Sequence, residues 1–178
     1  MKSTDFLEKL KDNSNQGGNL FHPILMHFAA RYNHTTYGRF ASDYRVLVES
    51  NIRCFEDFGM DAVGLISDPY RETSAFGADV HFPADSVPQC RKAIVKSIED
   101  ARLLKNPDLY KAERTFDRIR GAEEYRKRMG YAVPVIGWIE GPLAETCDLS
   151  GVNDTLLNLI MEPDLVKILI EKTTITAK

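Results

Sequence analysis

Residues 133–151, VPVIGWIEGPLAETCDLSG, decide how the rest of the chain is read. VPVIGWI is a short continuous apolar run, the pattern of a strand buried on both faces. It breaks at Glu140-Gly141-Pro142 and enters a polar stretch, read as a loop, that carries Glu145, Cys147 and Asp148. Ligands of α/β folds sit outside the carboxyl ends of parallel strands, which makes Glu140 a candidate site residue. The plainer reading of Glu140 is a solvated turn carboxylate.

Working outward, residues 61–67, DAVGLIS, form a second run of this kind, closed by Asp68-Pro69. Residues 21–28, FHPILMHF, form a third, with Pro23 near its start, where a strand tolerates a missing donor. Residues 43–58 place Tyr44, Leu47, Val48, Ile52, Phe55 and Phe58 at helical spacing, and Gly59 suits a left-handed cap. Further helices are expected over residues 4–10, 88–104, 108–128, 153–161 and 163–172, the last with Pro163 at a first helical position. Residues 13–18 read as a turn-rich link, and residues 79–82 as a small extra strand or an extended loop. This alternation predicts an α/β fold of parallel strands joined by right-handed crossovers, in a single domain over residues 1–178. A closed eight-stranded barrel takes about 250 residues, so this chain is too short for one.

The composition, 43% hydrophobic and 28% charged, is that of a globular protein. No apolar run reaches the length of a membrane span, and the amino-terminal stretch has no apolar signal core, so a cytoplasmic location is expected. A net charge of −3 makes no case for nucleic acid or an anionic membrane as partner. Cys54, Cys90 and Cys147 form no CxxC, and neither HxH nor HExxH occurs, so no disulfide frame and no metal ligand set are expected. Residues 91–128 mix basic and acidic side chains, read as solvated helical faces, or alternatively as a docking face for an acidic partner. No glycine-rich nucleotide loop and no serine nucleophile elbow is present.

Three polar clusters fall at the ends of the three expected strands. They are His27, Arg31 and Tyr32; Asp68 with Arg71 and Glu72; and Glu140 with Asp148. Parallel strands bring their carboxyl ends to one edge, so these groups are expected to meet there. An arginine can clamp a carboxylate in a bidentate fork, and a carboxylate on an apolar wall can hold N–H groups or a developing cation. Taken singly, an ion pair for Arg31 and a turn-forming role for Asp68 are the simpler readings.

The ordered set of motifs resembles the uroporphyrinogen decarboxylase superfamily, which also includes methyltransferases that move methyl groups between corrinoid proteins and thiols. MHFAARY at residues 26–32 is similar to that family's MRQAGRY, DAVGLISDP at 61–69 to its DAAIIFSDP, and IGWIEGP at 136–142 to its IGFAGAP. The resemblance runs from about residue 20 to residue 172 and implies the amino-terminal part of a (β/α)8 TIM-barrel-like fold. It implies that Asp68 binds pyrrole N–H groups and that Arg31 handles substrate carboxylates. His27 and Phe28 depart from the Arg and Gln of MRQAGRY, and Asp148 stands where the decarboxylases carry a tyrosine.

Those departures favour the corrinoid methyltransferase-like branch, with catalytic Asp68 and Glu140 and substrate-binding His27, Arg31, Tyr32 and Asp148. A uroporphyrinogen decarboxylase of tetrapyrrole biosynthesis and a non-catalytic binding module are the alternatives. The HxC…C zinc motif of the methyltransferases belongs to their carboxy-terminal half, and this chain has no HxC. No cofactor is therefore expected within this chain, with corrinoid or zinc entering only through that other half or a partner. A partial barrel leaves a strand edge and an apolar wall uncovered. The expected partners are a second copy or a complementing barrel-half chain, and a corrinoid protein.

Overall fold

The computed structural model describes residues 3–11 and 19–178, so the link expected at residues 13–18 lies outside the described residues. In chain order the elements are α1 (Ser3–Lys11), α2 (His27–Tyr32), α3 (Tyr37–Ser42), α4 (Tyr44–Phe58), β1 (Val63–Gly64), α5 (Arg71–Ala75) and β2 (Val80–His81). They continue with β3 (Gln89–Cys90), α6 (Ile98–Leu103), α7 (Glu113–Met129), β4 (Val135–Ile136), α8 (Pro142–Ser150), α9 (Val152–Met161) and α10 (Pro163–Ala177). The chain divides into two compact units. One comprises Met1–Ser67, Ala84–Ser86 and Asp117–Trp138; the other comprises Asp68–Pro83, Val87–Phe116 and Ile139–Lys178.

In the first unit α4 forms as its apolar spacing requires. Asp43 caps its start by accepting from the Arg45 amide at 2.9 Å, and Gly59, at φ 64°, ends it in the left-handed region that a side chain would strain. Its inner face buries Leu47, Val48, Ile52 and Cys54. β1 and β4 pair in parallel, Val63 opposite Val135 and Gly64 opposite Ile136. The Val63 and Leu65 amides donate to Pro134 and Ile136, each at 3.1 Å. The Gly64 carbonyl accepts from both Asn51 Nδ2 and the Tyr125 hydroxyl at 3.0 Å, which ties β1 to α4 and α7.

The two apolar runs read as strands thus do pair in parallel, but over two residues each. The remaining pair, β2 with β3, is antiparallel, so the described residues form two two-stranded sheets and no closed barrel. Residues 21–28 correct the expectation of a third strand. Phe21 exchanges two hydrogen bonds with Asp61, at 2.9 and 2.8 Å, but no ladder follows. Pro23 has no donor to give, and Met26 turns the chain at φ 38° into α2. His27, Arg31 and Tyr32 therefore lie on a short helix and not at a strand end.

The second unit corrects two more expectations. Residues 88–104 are not one helix: Pro88 is followed by β3, whose Cys90 and Gln89 lie opposite Val80 and His81 of β2. Helix begins only at α6, where Ser97 and Asp100 form a reciprocal capping box. The helix expected from residue 108 starts at Glu113, because the Asp108 carboxylate first closes a turn on the Tyr110 amide at 3.1 Å. Val95, Ala101, Leu149, Leu165, Val166 and Leu169 build this unit's core from α6, α8, α10 and the irregular segment before α6. Among the described residues no helix is long and apolar enough to cross a membrane.

Candidate functional site

Asp68 opens the second unit and is 2% exposed. Arg114, at the start of α7, grips it in a fork: Nη1 donates to Oδ1 at 3.0 Å and Nη2 to Oδ2 at 2.6 Å. Oδ1 also accepts the Tyr70 amide at 3.1 Å, and the guanidinium lies over the Phe82 ring at 4.6 Å. This is the bidentate geometry in which arginine binds carboxylate most strongly, and both carboxylate oxygens of Asp68 are engaged in it.

The stretch after Pro142 is helix and not the polar loop expected. Pro142 sits in the first turn of α8 and Glu145 follows in the same turn, both favourable at a helix start. Helical spacing puts Glu145 and Asp148 on one face. α5 packs against α8, and its Glu72 and Thr73 are buried beside that face. Burial pushes the Glu145 carboxyl up to about 8, and the carboxylates of Glu72, Asp148 and Glu140 add to the shift. Asp148 is pushed up to about 6, first by burial and then by Glu140 and Glu72. Glu72 is raised by burial against the opposing pull of Arg71.

A hydrogen bond from the Thr73 side chain opposes the shift at Glu145. Glu72 Oε2, among the described residues, is buried without a hydrogen-bond partner. The result is an acidic wall whose members repel one another and which keeps Glu145 neutral at pH 7.

Of the residues singled out in the sequence, Asp68, Glu140 and Asp148 belong to this unit and act on a shared neighbour, Glu72, or on one another. His27, Arg31 and Tyr32 belong to the first unit. There His27 stacks on Tyr37 with ring centroids 3.7 Å apart, and its Nε2 lies 3.4 Å from the Asp85 carbonyl oxygen. The Tyr32 hydroxyl donates to Asp57 at 2.9 Å under the Arg53 guanidinium, and that bond is the first cause of its raised pKa. Arg31 is exposed in the last turn of α2.

Residues 22–177 match the uroporphyrinogen decarboxylase (URO-D) family. The chain belongs to that family. No curated protein matches it significantly in sequence. A methyltransferase from Methanosarcina mazei has a similar fold, with a TM-score of 0.77 at 18% identity. The match covers 85% of this chain and 45% of the methyltransferase, so this URO-D chain spans less than half of that protein's length.

Glu145, Thr73 and Arg114 are the components that sequence reading did not place in the site. Glu145 was legible in principle: Pro142 followed by an acid three residues later is a helix-start signal, and a helix would have paired Glu145 with Asp148. Arg114 left no such mark, since it meets Asp68 across 46 residues of chain. Among the described residues no group of three or more His, Cys, Asp or Glu is arranged to hold a metal ion. With no HxC in the sequence either, the donor set does not fit a thiol-activating zinc, and no zinc-dependent step is assigned to this chain.

Proposed function

We propose that this URO-D chain is the substrate-facing, amino-terminal part of a corrinoid methyltransferase-like barrel. Turnover requires the remaining part of that fold, supplied by further polypeptide. The observation that carries this reading is the acidic wall of Glu72, Glu140, Glu145 and Asp148 beside an Asp68 already gripped by Arg114. A tetrapyrrole polycarboxylate brought to such a wall is repelled, and the Asp68 oxygens that would receive pyrrole N–H groups are occupied by a guanidinium. A neutral or cationic methyl-bearing substrate meets no such penalty. The fold shared with the Methanosarcina methyltransferase supports the same branch.

The missing part has a surface to dock on. In α9 of the second unit, Leu156, Leu157, Ile160 and Met161 are exposed, Ile160 by 85%. Monomers seldom leave such a contiguous apolar face in water. The match covers 45% of the methyltransferase, and the polypeptide that supplies the remaining length is the occupant we assign to this face.

Absorbance titration tests the function. Methylcobalamin is expected to shift its visible bands on adding the protein, and a porphyrin polycarboxylate is expected to show no change. Porphyrin binding without corrinoid binding would overturn this reading in favour of the decarboxylase. Binding of neither would leave a non-catalytic module.

A further inference from the structure

The first unit carries a cleft that the proposed function does not use. It holds about 450 Å³ between the loop joining α2 to α3, the helix α3 and the first turns of α4. Its charged groups are His34, Arg39, Asp43, Arg45 and Glu49. Both acids are already engaged. Asp43 accepts from the Arg45 amide at 2.9 Å and lies 3.8 Å from the Arg45 guanidinium. Glu49 accepts from Arg128 at 2.7 Å. The Arg39 guanidinium and the His34 ring are exposed and have no partner among the described residues. Thr35 lines the same cleft, and its buried hydroxyl also lacks a partner among the described residues.

Each of these three unpartnered groups can donate a hydrogen bond, and the guanidinium offers its donors in a planar fork. Arg39 and Arg45 face Asp43 and Glu49, and Arg128 offsets Glu49, which leaves the cleft with a single positive charge in excess. The matching ligand accepts hydrogen bonds and carries one negative charge. A phosphate dianion would bring a second charge toward Asp43 and Glu49, which repel it. A carboxylate brings only one, and its two oxygens fit the arginine fork. Val46 gives the cleft an apolar contact for an organic body. We propose that this cleft binds the carboxylate of a small organic acid, with Arg39 as its anchor and His34 and Thr35 as additional donors.

This site does not rest on the methyltransferase-like reading. It shares no residue with the acidic wall of the second unit, so either can fail alone. The competing account is a solvated surface, in which water alone satisfies Arg39 and His34. Exposed charges attract weakly in water, so the binding is modest and weakens as salt is added.

NMR titration of the full chain with sodium benzoate, at pH 7 and constant ionic strength, separates the two. The site predicts saturable shifts at the amides of the α2–α3 loop and at the Arg39 Nε–H. It also predicts at least tenfold weaker binding of benzyl alcohol, which keeps the ring and lacks the charge, and weaker binding of inorganic phosphate. Arg39→Gln, a substitution at an exposed position, should weaken benzoate binding at least tenfold with unchanged unfolding stability. Should that variant not fold, the unmodified protein decides the matter through its Arg39 Nε–H resonance, which is expected to move downfield on saturation. Absence of saturable shifts, an unmoved Arg39 Nε–H, equal binding of benzyl alcohol, phosphate binding tighter than benzoate, or unchanged affinity in folded Arg39→Gln would overturn the proposal.

Discussion

Arg114 holds Asp68 through both terminal nitrogens, at 3.0 and 2.6 Å, with the Asp68 side chain fully buried. Removing one member of a buried pair strands the charge of the other, which costs roughly 3–5 kcal/mol. Asp68→Asn is expected to lower unfolding stability by about 3 kcal/mol, read from urea denaturation. Adding Arg114→Gln should recover part of that loss, because the stranded charge is then gone. If the two losses simply add, the pair is not coupled. The same Asp68→Asn protein should bind corrinoid more weakly; unchanged affinity would remove Asp68 from the site.

Glu145 sets a pH signature. Its carboxyl titrates near 8 in the folded chain and near 4.5 when exposed. Between those values the folded state holds a proton that the unfolded state has lost, so stability falls as pH rises through this window. Its contribution is most favourable below the unfolded value, and the loss is complete above about 8. Asp148, pushed up to about 6, adds a smaller loss of the same sign below that value. The unfolding free energy from urea denaturation should therefore drop between pH 5 and pH 8.5, by on the order of a few kcal/mol. Glu145→Gln should flatten most of that slope and be the more stable protein at pH 8.5. Parallel curves for the two proteins would show that Glu145 titrates normally.

Tyr32 separates a binding role from a packing role. Its hydroxyl donates to Asp57, and its ring packs against Phe28 and Phe58. Tyr32→Phe keeps the ring and loses one solvent-exposed hydrogen bond, so only a small loss of stability is expected. Corrinoid affinity should not change. A large loss of affinity at unchanged stability would place Tyr32 in the substrate-binding set.

The exposed face of α9 predicts self-association when nothing covers it. Light scattering at low micromolar concentration should report species larger than the 20.2 kDa chain. Leu157→Lys with Ile160→Lys should return the protein to a monomer without loss of helix. A wild-type chain that scatters as a monomer at every concentration would refute α9 as a docking face.

The sequence reading succeeded where local rules coincide with burial. α4 carries its apolar stripe, its Asp43 cap and its Gly59 stop within 17 residues of chain, so nothing distant had to be known. The two apolar runs that became β1 and β4 were legible as buried parallel segments, and their motifs carried the family resemblance. Residues 21–28 look just as apolar but form no ladder. An apolar run records burial, and whether it pairs depends on the partner's position and on free donors such as the one Pro23 lacks. Residues 88–104 differ from their apolar spacing for a related reason: β3 follows Pro88, and the Ser97–Asp100 cap delays the helix to Ile98.

The amino-acid sequence alone settled the URO-D membership, the parallel α/β character, and the presence of Asp68 and Glu140 just beyond the apolar runs. Tertiary structure alone decided which acids are neutral, which are gripped and which lack a partner. Desolvation and Coulomb neighbours act through space. Glu145 meets Glu72 and Thr73 only because α8 packs on α5, and Asp68 meets Arg114 only because α7 begins beside it.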